Sequence, residues 1–128
     1  GTATTKTSVL INNPTPLPDA TRGEWNIVTI AAAGTSQSDA TAIGNAQPFV
    51  LISNNSASNG VLLPTASYIG QQIVVYPTLV SGATKIYPPV GGTINTGVLN
   101  TPVASTARKS ATYISVDRTG LNYVTLGL

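Results

Sequence analysis

The sequence predicts an all-β fold, an antiparallel β-sandwich or barrel of jelly-roll type, with an extended N-terminal arm. Three observations predict it. From residue 24 to the end, short β-branched segments recur every 8–12 residues between clusters of Gly, Pro, Asn and Ser, the spacing of strands in a sandwich or barrel. β-branched residues, Gly and Pro interrupt every window, so no helix of more than about three turns can be drawn. The chain is 41% hydrophobic and only 8% charged, which supplies a core and argues against disorder. At 128 residues it forms one domain, divided into an arm over 1–23 and a single β-domain over 24–128.

In the arm, Pro14, Pro16 and Pro18 alternate with other residues and favour an extended path. Such an arm suits contact with a neighbouring subunit, where "SVLI" (8–11) adds as an edge strand; a disordered tail is the alternative for the first seven residues. Val9, Leu10, Ile11, Pro14, Pro16, Leu17 and Pro18 are the partner-binding candidates.

The first strand of the domain is "EWNIVTI" (24–30), with Trp25, Ile27 and Thr29 on one face. The small polar stretch 34–44 reads as a loop with one turn of helix. "PFVLIS" (48–53) and "VLLP" (61–64) are strands on either side of "NNSASNG", and the spacing predicts that they form a hairpin with a long loop. "QQIVVYP" (71–77) is apolar on both faces, as in a sandwich interior. "ATKIYPP" (83–89) and "GTINTGVL" (92–99) continue the series. "IVVYP" and "TKIYP" place Tyr-Pro at the same point of successive strands, which reads as two similar hairpin arms. Over 111–126, "DRTG" turns "TYISV" back into "LNYVTL", the clearest hairpin in the chain.

Composition excludes several functions. The six cations and four anions give a net charge of +2 and are scattered. Nucleic-acid binding needs a clustered basic footprint, and the only adjacent cations are Arg108 and Lys109, a solvated pair or at most a phosphate contact. A surface built of Thr, Ser, Asn and Gln repels other subunits weakly and suits assembly. Without cysteine there is no disulfide framework. No segment approaches the ~20 apolar residues of a membrane span, and the first residues hold no signal-peptide core.

Catalysis finds few residues to work with. The chain has no His and no Cys, so the commonest general base and the thiol nucleophile are missing. Its carboxylates are Asp19, Glu24, Asp39 and Asp117. Asp19 and Glu24 flank Arg22, where an ion pair is the simpler role, while Asp39 and Asp117 sit where an aspartate caps its own loop. Gly91-Gly92 lacks the Lys-Ser/Thr and the helix of a phosphate loop, and "NNSASN" (54–59) offers no carboxylate to calcium. The expectation is no enzyme, no metal and no cofactor. Tyr68, Tyr76, Tyr87, Tyr113 and Tyr123 can stack on sugars or, as tyrosines more often do, pack in a core or a subunit interface.

Four stretches carry a resemblance: "AGTSQSDATAI", "GVLLPTASYIGQQIVVYP", "ATKIYPPVGGTIN" and "ATYISVDRTGLNYVTL". In that order they resemble a small β-domain found among tailed-phage virion proteins, over about three quarters of the chain. One departure stands at Asn122-Tyr123, where such domains commonly carry Trp-Tyr. The resemblance implies a non-enzymatic component of the virion, made in the bacterial cytoplasm. It would be a capsid decoration (cement) protein, a homotrimer by analogy, that contacts the major capsid protein. The alternative is a tail-fibre or spike module that binds a host-surface glycan.

Overall fold

The first six strands do not pair with their neighbours in sequence. In a computed structural model, which describes residues 26–45, 47–53, 58–79 and 83–127, they alternate between two sheets. β1 (Ile27–Ile30), β3 (Phe49–Ile52) and β5 (Gln72–Pro77) lie side by side in one sheet. β2 (Thr41–Ala42), β4 (Gly60–Leu62) and β6 (Lys85–Tyr87) lie side by side in the other. All four ladders among these six strands are parallel. Ile27 stands beside Phe49 and Phe49 beside Val74, while Thr41 stands beside Val61 and Val61 beside Ile86. The chain therefore winds between the sheets, each circuit one rung further on. Parallel neighbours require a long crossover; here it is a strand of the opposite sheet with its flanking loops, not a helix.

Three later strands run antiparallel and end the winding. β7 (Val103–Ala104) pairs with β6, β8 (Ala111–Ser115) with β5, and β9 (Tyr123–Leu126) with β8. The result is a five-stranded sheet of order β1-β3-β5-β8-β9 and a four-stranded sheet of order β2-β4-β6-β7. Neither order closes on itself.

Side-chain alternation explains how one core serves both sheets. Ile73 and Val75 of β5, and Ala111, Tyr113 and Ser115 of β8, point inward while the residues between them are less buried. The apolar ones among them join Val50 and Ile52 of β3, Val61 of β4, Ile86 of β6 and Tyr123 of β9, so the central cluster draws on both sheets.

The all-β expectation holds, and so does the hairpin over 111–126, which pairs Ser115 with Tyr123 and Thr112 with Leu126. The helical turn is a single 3-10 turn at Gln37–Asp39. Four expectations are corrected. The fold is not antiparallel throughout, because the loops joining the first six strands are long enough to cross to the other sheet. For the same reason β3 and β4 are not a hairpin; they belong to different sheets. The two Tyr-Pro segments are not hairpin arms either, since β5 and β6 also lie in different sheets. Of the strand expected over 92–99, only a bridge from Ile94 to Tyr123 forms. The arm and the residues Glu24 and Trp25 lie outside the described residues.

Candidate functional site

Two polar segments one circuit apart meet at an open depression of about 300 Å³. The loop before β3 supplies Asn45, Gln47 and Pro48, and the turn before β5 supplies Ser67 and Tyr68. Gln71 is the fastener. Its side chain is buried, with Nε2 donating to the backbone oxygen of Asn45 (2.9 Å) and to its Oδ1 (2.7 Å). Its Oε1 accepts from the Ser67 amide at 2.7 Å. Asn45 Nδ2 completes the tie by donating to Ser67 Oγ at 2.7 Å. The turn itself is anchored on β8, since the Gly70 amide donates to Ser115 O (2.8 Å) and the Ser115 amide to Gln71 O (3.0 Å).

With both walls fixed, Tyr68 is 65% exposed, and Gln72, four residues on, is exposed as well. Neither side chain has a hydrogen-bond partner among the described residues. No charged residue lines the depression. Its donors and acceptors are amides and hydroxyls, which can hold a neutral polar molecule but offer no activated nucleophile. Sequence reasoning picked out Tyr68 only as one tyrosine among five. The missed signal was the pair of amide-rich patches "GNAQP" (44–48) and "GQQ" (70–72), which meet only because the chain coils.

A second feature concerns the sheet edges. β9 is covered by the segment "TIN" (93–95): the Tyr123 amide donates to Thr93 O (3.0 Å) and the Asn95 amide to Tyr123 O (2.8 Å). The Thr125 amide donates to Asn95 Oδ1 at 2.9 Å, and Asn95 Nδ2 donates to Thr125 Oγ1 at 2.9 Å. Asn122 holds this cover down by accepting from the Thr93 amide and hydroxyl, both at 3.0 Å, while its Nδ2 donates to Asp117 Oδ2 at 2.7 Å. A hydrogen-bonding Asn thus secures the end of the domain where an aromatic residue was the comparison. The opposite edge differs. β1 pairs with β3 alone, no described strand lies on its other side, and Ile27 is 57% exposed there.

The remaining candidates take structural positions. Tyr113 and Tyr123 are core residues, Tyr87 is buried and Tyr76 half-buried; burial pushes the Tyr123 phenol up to about 12 and Tyr113 higher still. Asp39 accepts from the amides of Ser36 (2.8 Å) and Thr35 (3.0 Å), and the Ser36 amide chiefly holds its carboxyl below the usual range. Asp117 accepts from Thr119 Oγ1 at 2.6 Å, and the Thr119 and Asn122 side chains lower it likewise. Both carboxylates act as loop caps. Arg108 and Lys109 are exposed in a turn whose amides bond Pro77 O and Thr106 O. Asp19, Arg22, the arm candidates and Asn54 to Ala57 lie outside the described residues. Among the described residues no group of His, Cys, Asp or Glu could hold a metal ion, and no helix is long and apolar enough to cross a membrane.

No protein-family model matches the chain, and no curated protein matches it.

Proposed function

We propose that the chain is a non-enzymatic structural protein of a tailed-phage virion: a capsid decoration protein that sits on the outer shell and stabilises it through subunit contacts. The observation that carries this reading is the contrast between the two edges of the five-stranded sheet. A bare, regular edge invites pairing with another chain, and proteins that stay apart blunt such edges. Here the β9 edge is blunted by residues 93–95, while no described strand covers β1 and Ile27 is exposed. The two outer strands of the second sheet, β2 and β7, are two residues each, too short to template a partner. β1 is also the strand into which the N-terminal arm leads. In this reading the arm of one subunit, through Val9, Leu10 and Ile11, adds to β1 of its neighbour or grips the major capsid protein. A ring of such contacts closes as a homotrimer by analogy with the family resembled.

The low charge and the resemblance of the four ordered sequence stretches support the same reading. The test mixes the purified chain with capsids that lack it. Stoichiometric binding that raises the melting temperature of the shell is the expected result, and deletion of residues 1–18 should abolish it while the β-domain stays folded. Capsids that neither bind the chain nor gain stability would refute the proposal. Unchanged capsid affinity after the deletion would refute the role of the arm.

A further inference from the structure

We propose that the depression between the 44–48 loop and the 67–72 turn is a binding site for a neutral saccharide. Four properties lead there. First, its walls carry amides and hydroxyls and no charge, which selects against ionic ligands, since a charge would lose water without gaining a counter-charge. Second, among the described residues Gln72 leaves its whole amide uncommitted, and the Gln47 side chain makes one bond, which its Oε1 accepts from the Gly44 amide. A primary amide presents a donor and an acceptor side by side, the pattern that two adjacent sugar hydroxyls complement. Third, Tyr68 holds an aromatic ring in solvent at 65% exposure, a surface on which the apolar C–H face of a sugar can rest while the phenol stays wet.

The fourth property is preorganisation. An exposed loop that must be ordered at each binding event loses affinity to that ordering. Here the buried Gln71 amide has already joined the two walls through two hydrogen bonds to Asn45, Asn45 to Ser67 adds a third, and the Ser67 amide bonded to Gln71 Oε1 braces the turn itself. Gln71 and Asn45 are therefore positioning residues, whereas Tyr68, Gln72 and Gln47 are the contact residues. The depression is open, which fits one unit of a longer exposed glycan better than an enclosed small molecule.

The site is independent of the capsid reading, because it uses neither β1 nor the arm. Its test is a titration of the full chain, labelled with nitrogen-15, against chitotriose, maltotriose, mannotriose and lactose. Side-chain amide signals of Asn45, Gln47 and Gln72 are followed by NMR. At least one sugar should produce saturable shifts confined to these residues and to the Ser67 and Tyr68 backbone, with Kd on the order of 1 mM. Tyr68→Ala should weaken that binding about tenfold and leave the rest of the spectrum unchanged, since the Tyr68 side chain makes no hydrogen bond among the described residues. Gln72→Ala should weaken it by a smaller factor. The inference is overturned if none of the four sugars shifts these signals, or if Tyr68→Ala binds as tightly as the parent chain. Capsid binding bears on the other proposal alone.

Discussion

Replacing Tyr113 and Tyr123 in turn by phenylalanine removes one oxygen from each of two neighbouring core positions, with opposite expected results. The Tyr113 hydroxyl is fully buried in β8 and has no hydrogen-bond partner among the described residues. A hydroxyl buried in that state costs about 1–3 kcal/mol, so Tyr113→Phe should stabilise the domain by about 1 kcal/mol at the lower end of that range. The Tyr123 hydroxyl, in contrast, donates to the Pro64 carbonyl at 2.6 Å across to the segment after β4. Removing it forfeits about 1 kcal/mol of net hydrogen bonding and strands a half-buried carbonyl, a loss of about 2 kcal/mol together. The two variants should then differ by about 3 kcal/mol. At about 4 °C per kcal/mol for a domain of this size, their melting temperatures should lie about 12 °C apart, with the parent chain between them. Urea unfolding followed by circular dichroism gives the same comparison through midpoints at equal slope. If Tyr113→Phe unfolds at lower urea than the parent chain, the hydroxyl has a partner in solution, such as a buried water, and the reasoning fails.

Gly92→Ala should be strongly destabilising. A β-carbon at that position would collide with the Leu121 backbone carbonyl, so a loss of at least about 3 kcal/mol is expected by urea unfolding. High pH should unfold the domain through its tyrosines. The phenols of Tyr113 and Tyr123 are raised in the folded state, Tyr123 from 10.0 to about 12, so their contribution is complete below pH 10 and is lost as pH rises toward 12. The slope should be about 1.4 kcal/mol per pH unit for each tyrosine, and tyrosinate absorbance should show two late titrations that Tyr→Phe variants remove one at a time. Asp117 has the opposite sign. Its carboxyl lies below the ordinary 3.8, so its stabilisation holds above that value and fades as pH falls through the folded pKa; Asp117→Ala should flatten the acid limb of a melting-temperature profile. At the open edge, Ile27→Lys should leave the melting temperature nearly unchanged, because the side chain is 57% exposed, yet weaken capsid association in sedimentation assays.

Local chemistry was legible in the sequence, and long-range pairing was not. "DRTG" names its own turn because Asp117, Thr119 and Gly120 close it among themselves, so the β8–β9 hairpin and its register follow from a few contiguous residues. Asp39 is legible as a cap for the same reason. An apolar run such as "FVLI" or "IVVY" declares a strand, though alternate residues of each are only half-buried, and it does not say whether the partner is the next strand or the one after. Both parallel and antiparallel sheets accept it. The depression shared this difficulty, since Gln71 and Asn45 lie 26 residues apart and meet through the parallel stacking of β5 on β3. The arm contributed a prediction about partners from its prolines and from "SVLI" (8–11) as an added strand.

The segment "IYPPVGGTIN" connects these levels. Pro88 and Pro89 are buried and follow directly on β6, and the Gly92 amide closes a turn on Pro89 O at 2.8 Å. The chain can then pass tightly against Leu121, where only glycine fits, and lay Thr93 to Asn95 along β9. In a coiled arrangement each rung is protected by the next, and the exposed places are the ends. One end of the five-stranded sheet is finished by the chain itself, at the expense of a glycine that tolerates no side chain and an asparagine committed to three hydrogen bonds. The other end is the strand that begins the coil, reached directly from a proline-rich arm. Under the proposed function, a sealed β9 and a β1 that has no second strand beside it among the described residues make β1 the edge at which a partner would pair. On that proposal the two edges are complementary: the covered edge would direct association to one face, and residues 1–23 would determine what reaches it.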